Sequence, residues 1–285
     1  MTIIIILARA RPEQDTMAGG CVPPAHFLGR GISTSKRVCV FVDGENFRHS
    51  IIDLFEQFNS YDYLPKNADW DALFDWFVSK AVPESERVRT YWYVIALLDF
   101  FPYKLPDSDT ENLLKVLNKC EWIKKKLEKL KDETLIEEMK KIVGILLKRQ
   151  KQMRNRFEWW RRLQDNISSR WSRIEWRRAG AITYNTFDKQ LGLEKAVDVK
   201  LATDLIVLRD IYDIAVIVSG DQDYVPAVQV VKDFGKIAVN VVFRNRGGRL
   251  LPGGARRLNQ LTDKCVEIGY KELARHLNIP TVAST

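Results

Sequence analysis

Cysteine and histidine are scarce in this chain: four cysteines and three histidines in 285 residues. Cys21, Cys39, Cys120 and Cys265 show no Cys-x-x-Cys spacing. They read as the reduced thiols of a cytoplasmic protein, neither a zinc site nor a disulfide framework. His26, His49 and His276 are equally scattered, which argues against a histidine-built metal site or a catalytic triad. Long hydrophobic runs are lacking too. The apolar stretch from Thr2 to Ala8 is too short to span a bilayer, and no basic region precedes it. Neither a membrane helix nor a secretory signal is expected. Residues 1–36 are expected to be a poorly ordered leader, with Met17 a candidate start, and residues 276–285 a tail.

What the chain does have is acid at the ends of apolar runs. Ile214-Ala215-Val216-Ile217-Val218 has the length and composition of a buried parallel strand, and Ser219-Gly220-Asp221-Gln222-Asp223-Tyr224 follows it directly. Pro226 and Gly235 bracket a helix beyond. Far upstream, Val38-Cys39-Val40-Phe41-Val42 ends in Asp43-Gly44-Glu45-Asn46. Open α/β sheets bind their ligands at such carboxyl ends, and hard divalent cations prefer carboxylate oxygens. A third acid, Asp198, begins a helix predicted over 198–209. It falls in the middle of the stripe formed by Leu201, Ala202, Leu205, Ile206 and Leu208. A carboxylate aimed at a buried face costs several kcal/mol unless it is paired or metal-bound. Asp204 lies roughly 120° around the same helix. It either flanks the site or faces solvent.

Together, Asp43-Gly44-Glu45-Asn46, Lys195-Ala196-Val197-Asp198-Val199 and Ser219-Gly220-Asp221-Gln222-Asp223-Tyr224 resemble the signature blocks of NYN domains. The resemblance is closest to the LabA-like branch of the PIN-like nuclease superfamily, and covers roughly 37–103 and 180–270. It implies a three-layer α/β/α sandwich with a mostly parallel sheet, and an acidic cluster that binds Mg²⁺ or Mn²⁺ for RNA hydrolysis. Carried over by position, the metal ligands would be Asp43, Asp198, Asp221 and Asp223, with Asp204 a fifth candidate. Asn46 joins those acids as a catalytic candidate that positions water or phosphate. Gln222 and Tyr224 stand where the family more often has smaller residues and Phe.

The α/β domain is expected at 37–103 and 180–275, interrupted by a long helical hairpin over 104–179. Leu113, Val116, Cys120, Ile123, Leu127 and Leu130 trace a coiled-coil seam, and Met139, Ile142, Leu146, Met153, Phe157, Trp160 and Leu163 continue it on a second helix. Thr134 to Glu137 reads as the capping box that opens that second helix. From 111 to 178 there are 20 Lys or Arg against 10 Asp or Glu, while the whole chain carries only +8. Arg154, Arg161, Arg162, Arg170 and Arg173 are interleaved with Trp159, Trp160, Trp171 and Trp176. Cations neutralise phosphates and aromatic faces stack on unpaired bases, so this arm is a candidate RNA surface. Lys195, Arg244 and Arg246 are further candidates for phosphate contact. The same seam would also serve an intramolecular brace or a homodimer.

The function expected is metal-dependent ribonuclease activity on single-stranded or structured RNA. Two alternatives stay open at this point: a non-catalytic RNA-binding or regulatory protein of the LabA-like type, and a hydrolase of small phosphoesters.

Overall fold

The computed structural model describes residues 35–55, 58, 64–105, 110–251 and 255–280. The leader expectations at Met17, Cys21 and His26, and residues 281–285 of the expected tail, lie outside them. In chain order the elements are β1 (Arg37–Asp43), α1 (Gly44–Leu54), α2 (Trp70–Ala81), β2 (Glu86–Phe101), α3 (Thr110–Leu117), α4 (Glu121–Leu127), α5 (Asp132–Arg170), β3 (Ile174–Asn185) and β4 (Gln190–Leu191). They continue with α6 (Val197–Val207), β5 (Ile214–Val218), α7 (Val225–Asp233), β6 (Ile237–Arg244), β7 (Leu250–Leu251), α8 (Arg256–Leu261), β8 (Lys264–Gly269) and α9 (Tyr270–His276).

The sheet runs β4-β3-β2-β1-β5-β6-β7, with β8 also pairing with β6. Only the two-residue strands β4 and β7 are antiparallel; β1, β2, β3, β5, β6 and β8 pair in parallel. Such strands are covered on both faces and carry near-continuous apolar runs. β1 obeys this: Val38, Val40 and Val42 face a core shared with α1, α2, α9 and the later part of α5, while Cys39 and Phe41 face α6, α7 and α8. The result is the expected three-layer α/β/α sandwich with a mostly parallel sheet. Among the described residues no helix is long and apolar enough to cross a membrane.

Helix starts follow local chemistry. Asp43 caps α1 by accepting from the Asn46 amide, and Asp69 caps α2 by accepting from that of Ala72. Pro226 occupies the first turn of α7, and Gly235 ends it at φ +75°. α5 starts two residues before the expected capping box, at Asp132. The Thr134 hydroxyl donates to the Lys131 carbonyl and caps no amide.

The insertion differs most from expectation. β2 runs to Phe101 and β3 begins at Ile174, so residues 174–179 belong to the sheet and not to a helical arm. Trp176 stacks on Trp92 at 4.4 Å between ring centroids. The first expected helix is broken into α3 and α4. The two predicted seams do meet, in a cluster that includes Leu117, Ile123 and Leu127 against Met139, Ile142 and Leu146. Met153, Trp160 and Ile167 leave that cluster and join the main core. The later half of α5 is thus a brace over the sheet. At Gly180, with φ +63°, an added Cβ would fall 1.7 Å from the carbonyl oxygen of Lys195, because Lys195 is bridged to Ala181 by hydrogen bonds of 3.1 and 3.3 Å.

Candidate active site

The chain leaves β1 for β2 on one side of the sheet and for β5 on the other, so β1 and β5 flank its switch point. Their parallel register sets Val42 beside Val218. The next residues, Asp43 and Ser219, are therefore neighbours, although 176 positions apart in sequence.

Asp43 is fully buried. Its Oδ1 accepts from the Asn46 backbone amide at 3.1 Å. Its Oδ2 accepts from Asn46 Nδ2 at 2.6 Å, Ser219 Oγ at 2.8 Å and the Tyr224 hydroxyl at 3.1 Å. Three of the four contacts crowd Oδ2, and Oδ1 has one. Ser219 Oγ in turn accepts from the Asp221 amide at 3.0 Å, and Asp221 Oδ1 accepts from the Asp223 amide at 2.9 Å. The Tyr224 hydroxyl also contacts Asp198 Oδ1 at 2.8 Å. A phenol has one hydrogen to share between two carboxyls, so the second contact needs a proton on the carboxyl side. Burial, reinforced by the charge of Asp198, pushes Asp43 up to about 6 despite its donors. Burial and the charges of Asp221 and Asp223 raise Asp198.

Glu194 joins this cluster. Burial, then the charges of Asp43, Glu45 and Asp198, push it up to about 8. Glu45 behaves oppositely. Burial opposes its charge, but His49 and Arg48 outweigh that and hold it at about 2. Arg48 is buried, 2.6 Å from Glu45 Oε1 and 5.9 Å from the centre of the Trp160 ring. Glu45 and Glu194 thereby line a cavity of about 30 Å³, room for a single water, with Phe157, Trp160 and Gln164 of α5.

Asp43, Asp198, Asp221 and Asp223 are thus brought to one edge, with Asn46 among them. Asp204 is not. It is buried beneath α6, 2.7 Å from Lys200 Nζ, 3.1 Å from the Tyr93 hydroxyl and 3.9 Å from Arg177 Nε. This network ties α6 to β2 and β3 and corrects both readings of Asp204, as site flank and as solvated face. The predicted phosphate-binding residues divide as well. Arg161 and Arg162 are exposed on α5, and Lys195 is exposed beside Glu194. Arg154 lies over the Phe100 ring at 5.4 Å and Arg170 over Trp171 at 4.6 Å. Arg173 is clamped by Asp71 and Asp75, Arg244 by Glu267, and Arg246 by the Tyr270 hydroxyl at 2.6 Å. Those three arginines hold the fold together at sites where open cations were expected.

Sequence reasoning assigned nothing to Ser219, Glu194 or the Tyr224 hydroxyl. Ser219 could have been found by placing the two acidic strand tips side by side. Nothing in the sequence marks Glu194, since Asp43 and Glu45, the charges that act on it most, lie about 150 positions away.

The donor set has the chemistry a hard divalent cation requires: carboxylate oxygens crowded until their charges repel, with Asp198 and Asp221 part-exposed and Asp223 exposed. The residues fit such an ion in donor type and charge. Among the described residues, however, no three His, Cys, Asp or Glu side chains stand close enough together to hold one without turning.

A search of curated proteins finds no match. A crystal structure of a protein of unknown function from Vibrio parahaemolyticus RIMD 2210633 is similar at 15% identity, over 82% of this chain and 93% of that one, with a TM-score of 0.39. The model of the NYN domain matches residues 109–251, a span that contains Asp198, Asp221 and Asp223 and begins after Asp43. That span is 143 of 285 residues, and the chain belongs to the NYN domain family, within the PIN-like nuclease superfamily.

Proposed function

We propose that this chain is a ribonuclease of the LabA-like type that hydrolyses RNA phosphodiesters with Mg²⁺ or Mn²⁺. The observation that carries the reading is the crowding of Asp43, Glu194 and Asp198 at the sheet's switch point, each raised by burial and by its acidic neighbours. Negative charge assembled at such cost is what a cation-dependent site needs. Asp198, Asp221 and Asp223, the part-exposed and exposed carboxylates, would hold the ion together with Asp43. Asp43 also holds Ser219, Asn46 and Tyr224 in place, and through them the Asp221 turn. When bound, the ion acidifies water and offsets the charge that builds on phosphorus. Lys195 meets a flanking phosphate, and Asn46 orients the edge from which water approaches. The arm, residues 104–173, acts as an accessory for RNA.

Incubating labelled RNA with Mn²⁺, with and without chelator, tests this directly. Wild-type cleavage is expected to stop in chelator and in Asp221→Asn, with thermal stability of the metal-free variant equal or higher as one repelling charge is removed. Wild-type rates in Asp221→Asn would sink the assignment. Labelled single-stranded DNA and a generic phosphoester, run alongside, define the substrate class.

The net positive charge of residues 111–178 equally serves a second reading, an RNA-binding regulator that cleaves nothing. Tight RNA binding without Mn²⁺-dependent products, at any pH from 6 to 9, would decide for it.

A further inference from the structure

β2 does not stop at the acids. From Tyr93, opposite Asp43, it continues eight residues to Phe101, about 26 Å at a strand rise of ~3.3 Å per residue. At that far end the α3–α4 corner closes over the strand pair and leaves a hollow of about 480 Å³, within the usual range of roughly 300–1,000 Å³ for small-molecule sites.

Its lining has the parts of a nucleotide site. Phe187 is buried and stands edge-on to Phe101, with centroids 6.0 Å apart, making the floor. Trp122 and Phe101 also line it and remain 48% and 39% exposed. Lys119 Nζ lies 5.7 Å from the Phe101 centroid, and among the described residues it forms no ion pair. Lys125 is 3.7 Å from Glu121, both 71% exposed, a pairing too solvated to resist a competing anion. Asp188 already accepts from Asn185 Nδ2 at 2.8 Å.

The other tryptophans of the insertion are differently placed. Trp160 is core, Trp176 is stacked on Trp92, Trp171 lies under Arg170, and Trp159 lies under Lys66 at 5.9 Å. Trp122 alone among these five opens onto a hollow flanked by lysines.

We propose that this hollow is a base-holding subsite for single-stranded RNA. An unpaired base stacks on Trp122 and Phe101, and Lys119 and Lys125 meet its phosphates. It rests on the RNA reading above and places one end of the substrate far from the acids, along the strand pair that leads to them.

The test uses the full chain in chelator, with a short labelled oligouridylate followed by fluorescence anisotropy. Trp122→Ala is expected to weaken binding roughly 10- to 100-fold, the size of one base–aromatic stack. The Lys119→Ala/Lys125→Ala variant should reduce the slope of log K against log salt by about 1.4, two single-strand phosphate contacts. Phe234→Ala, 55% exposed but outside both the arm and the hollow, should bind as wild type. A 4-thiouridine oligonucleotide should crosslink within residues 119–125. If Trp122→Ala binds as tightly as Phe234→Ala, or the crosslink falls elsewhere, the subsite is wrong, and Mn²⁺-dependent cleavage by the wild type still stands or falls separately. If the hollow binds RNA and nothing is cleaved, the subsite stands and the ribonuclease reading falls. If the wild type binds no RNA, both fall.

Discussion

Asp43 makes four hydrogen-bond contacts, three of them on Oδ2, and its burial separates it from Asp198, Asp221 and Asp223, which keep some exposure. It is the hub that converts the positions of β1 and β5 into the position of the Asp221 turn. Glu194 is an acid whose charge the fold disfavours. Its folded pKa, about 8, lies above the ordinary glutamate value of 4.5. The proton is therefore favoured in the folded state. The corresponding stability is fully present below about 4.5 and is lost as pH rises through about 8. Metal-free protein should accordingly melt at falling temperature between pH 5 and 8.5. Glu194→Gln should flatten that slope, as calorimetry in chelator would register, and an unchanged slope would remove Glu194 from the cluster. The strand-tip acids were legible because each follows an apolar run. Ser219 and the Tyr224 hydroxyl were not, because their roles exist only when chain positions more than 170 apart become neighbours.

At the scale of elements, α5 is two structures in one helix. Its first half closes a small cluster with α3 and α4, and its second half inserts Met153, Trp160 and Ile167 into the main core. The heptad pattern showed both halves as one seam, since core contact with a sheet and contact with another helix demand the same spacing. Trp176, Arg177 and Arg178 were misread for a related reason. A basic strand that pairs on one side with β2 has the composition of a basic helix, and only the register Trp92 to Trp176 reveals it. Replacing 110–147 by a Gly/Ser linker should therefore leave a cooperative unfolding transition. Replacing 110–170 should abolish it. Three large apolar side chains, at about 1.5–3 kcal/mol each, sum to a large part of a typical stability of about 5–15 kcal/mol. Thermal unfolding followed by circular dichroism distinguishes the two, and equal cooperativity would mean that the brace carries no weight.

Across the whole molecule, charge is unevenly distributed. The span 111–178 carries a net +10, so the remaining residues sum to −2, for a chain of pI 9.2. Composition showed this polarity and its implication of a polyanionic partner. It did not show that clamps such as Arg173 with Asp71 and Asp75 absorb part of the positive charge within the fold. The fold class, the parallel core and the acidic edge were readable in the sequence. The reach of β2 and β3 past that edge was not, because Asp99 interrupts the apolar run, and Leu97 and Phe101 are apolar residues that the fold leaves 62% and 39% exposed.

The close approach at Gly180 gives that reach a mechanical meaning. β3 carries the returning chain of the arm, and at Gly180 its backbone lies against the Lys195 carbonyl, one residue from Glu194 and three from Asp198. The contact is backbone against backbone, so a side chain added at residue 180 must push β3 and the segment leading to Asp198 apart. Gly180→Ala is expected to raise KM or lower kcat for RNA by at least tenfold while every carboxylate remains in the sequence. Tyr93, Lys200 and Arg177 should still hold Asp204 in that variant and keep α6 docked. The insertion and the acidic edge thus meet at a seam one glycine wide, where the strand leaving the arm and the segment entering α6 can be no closer.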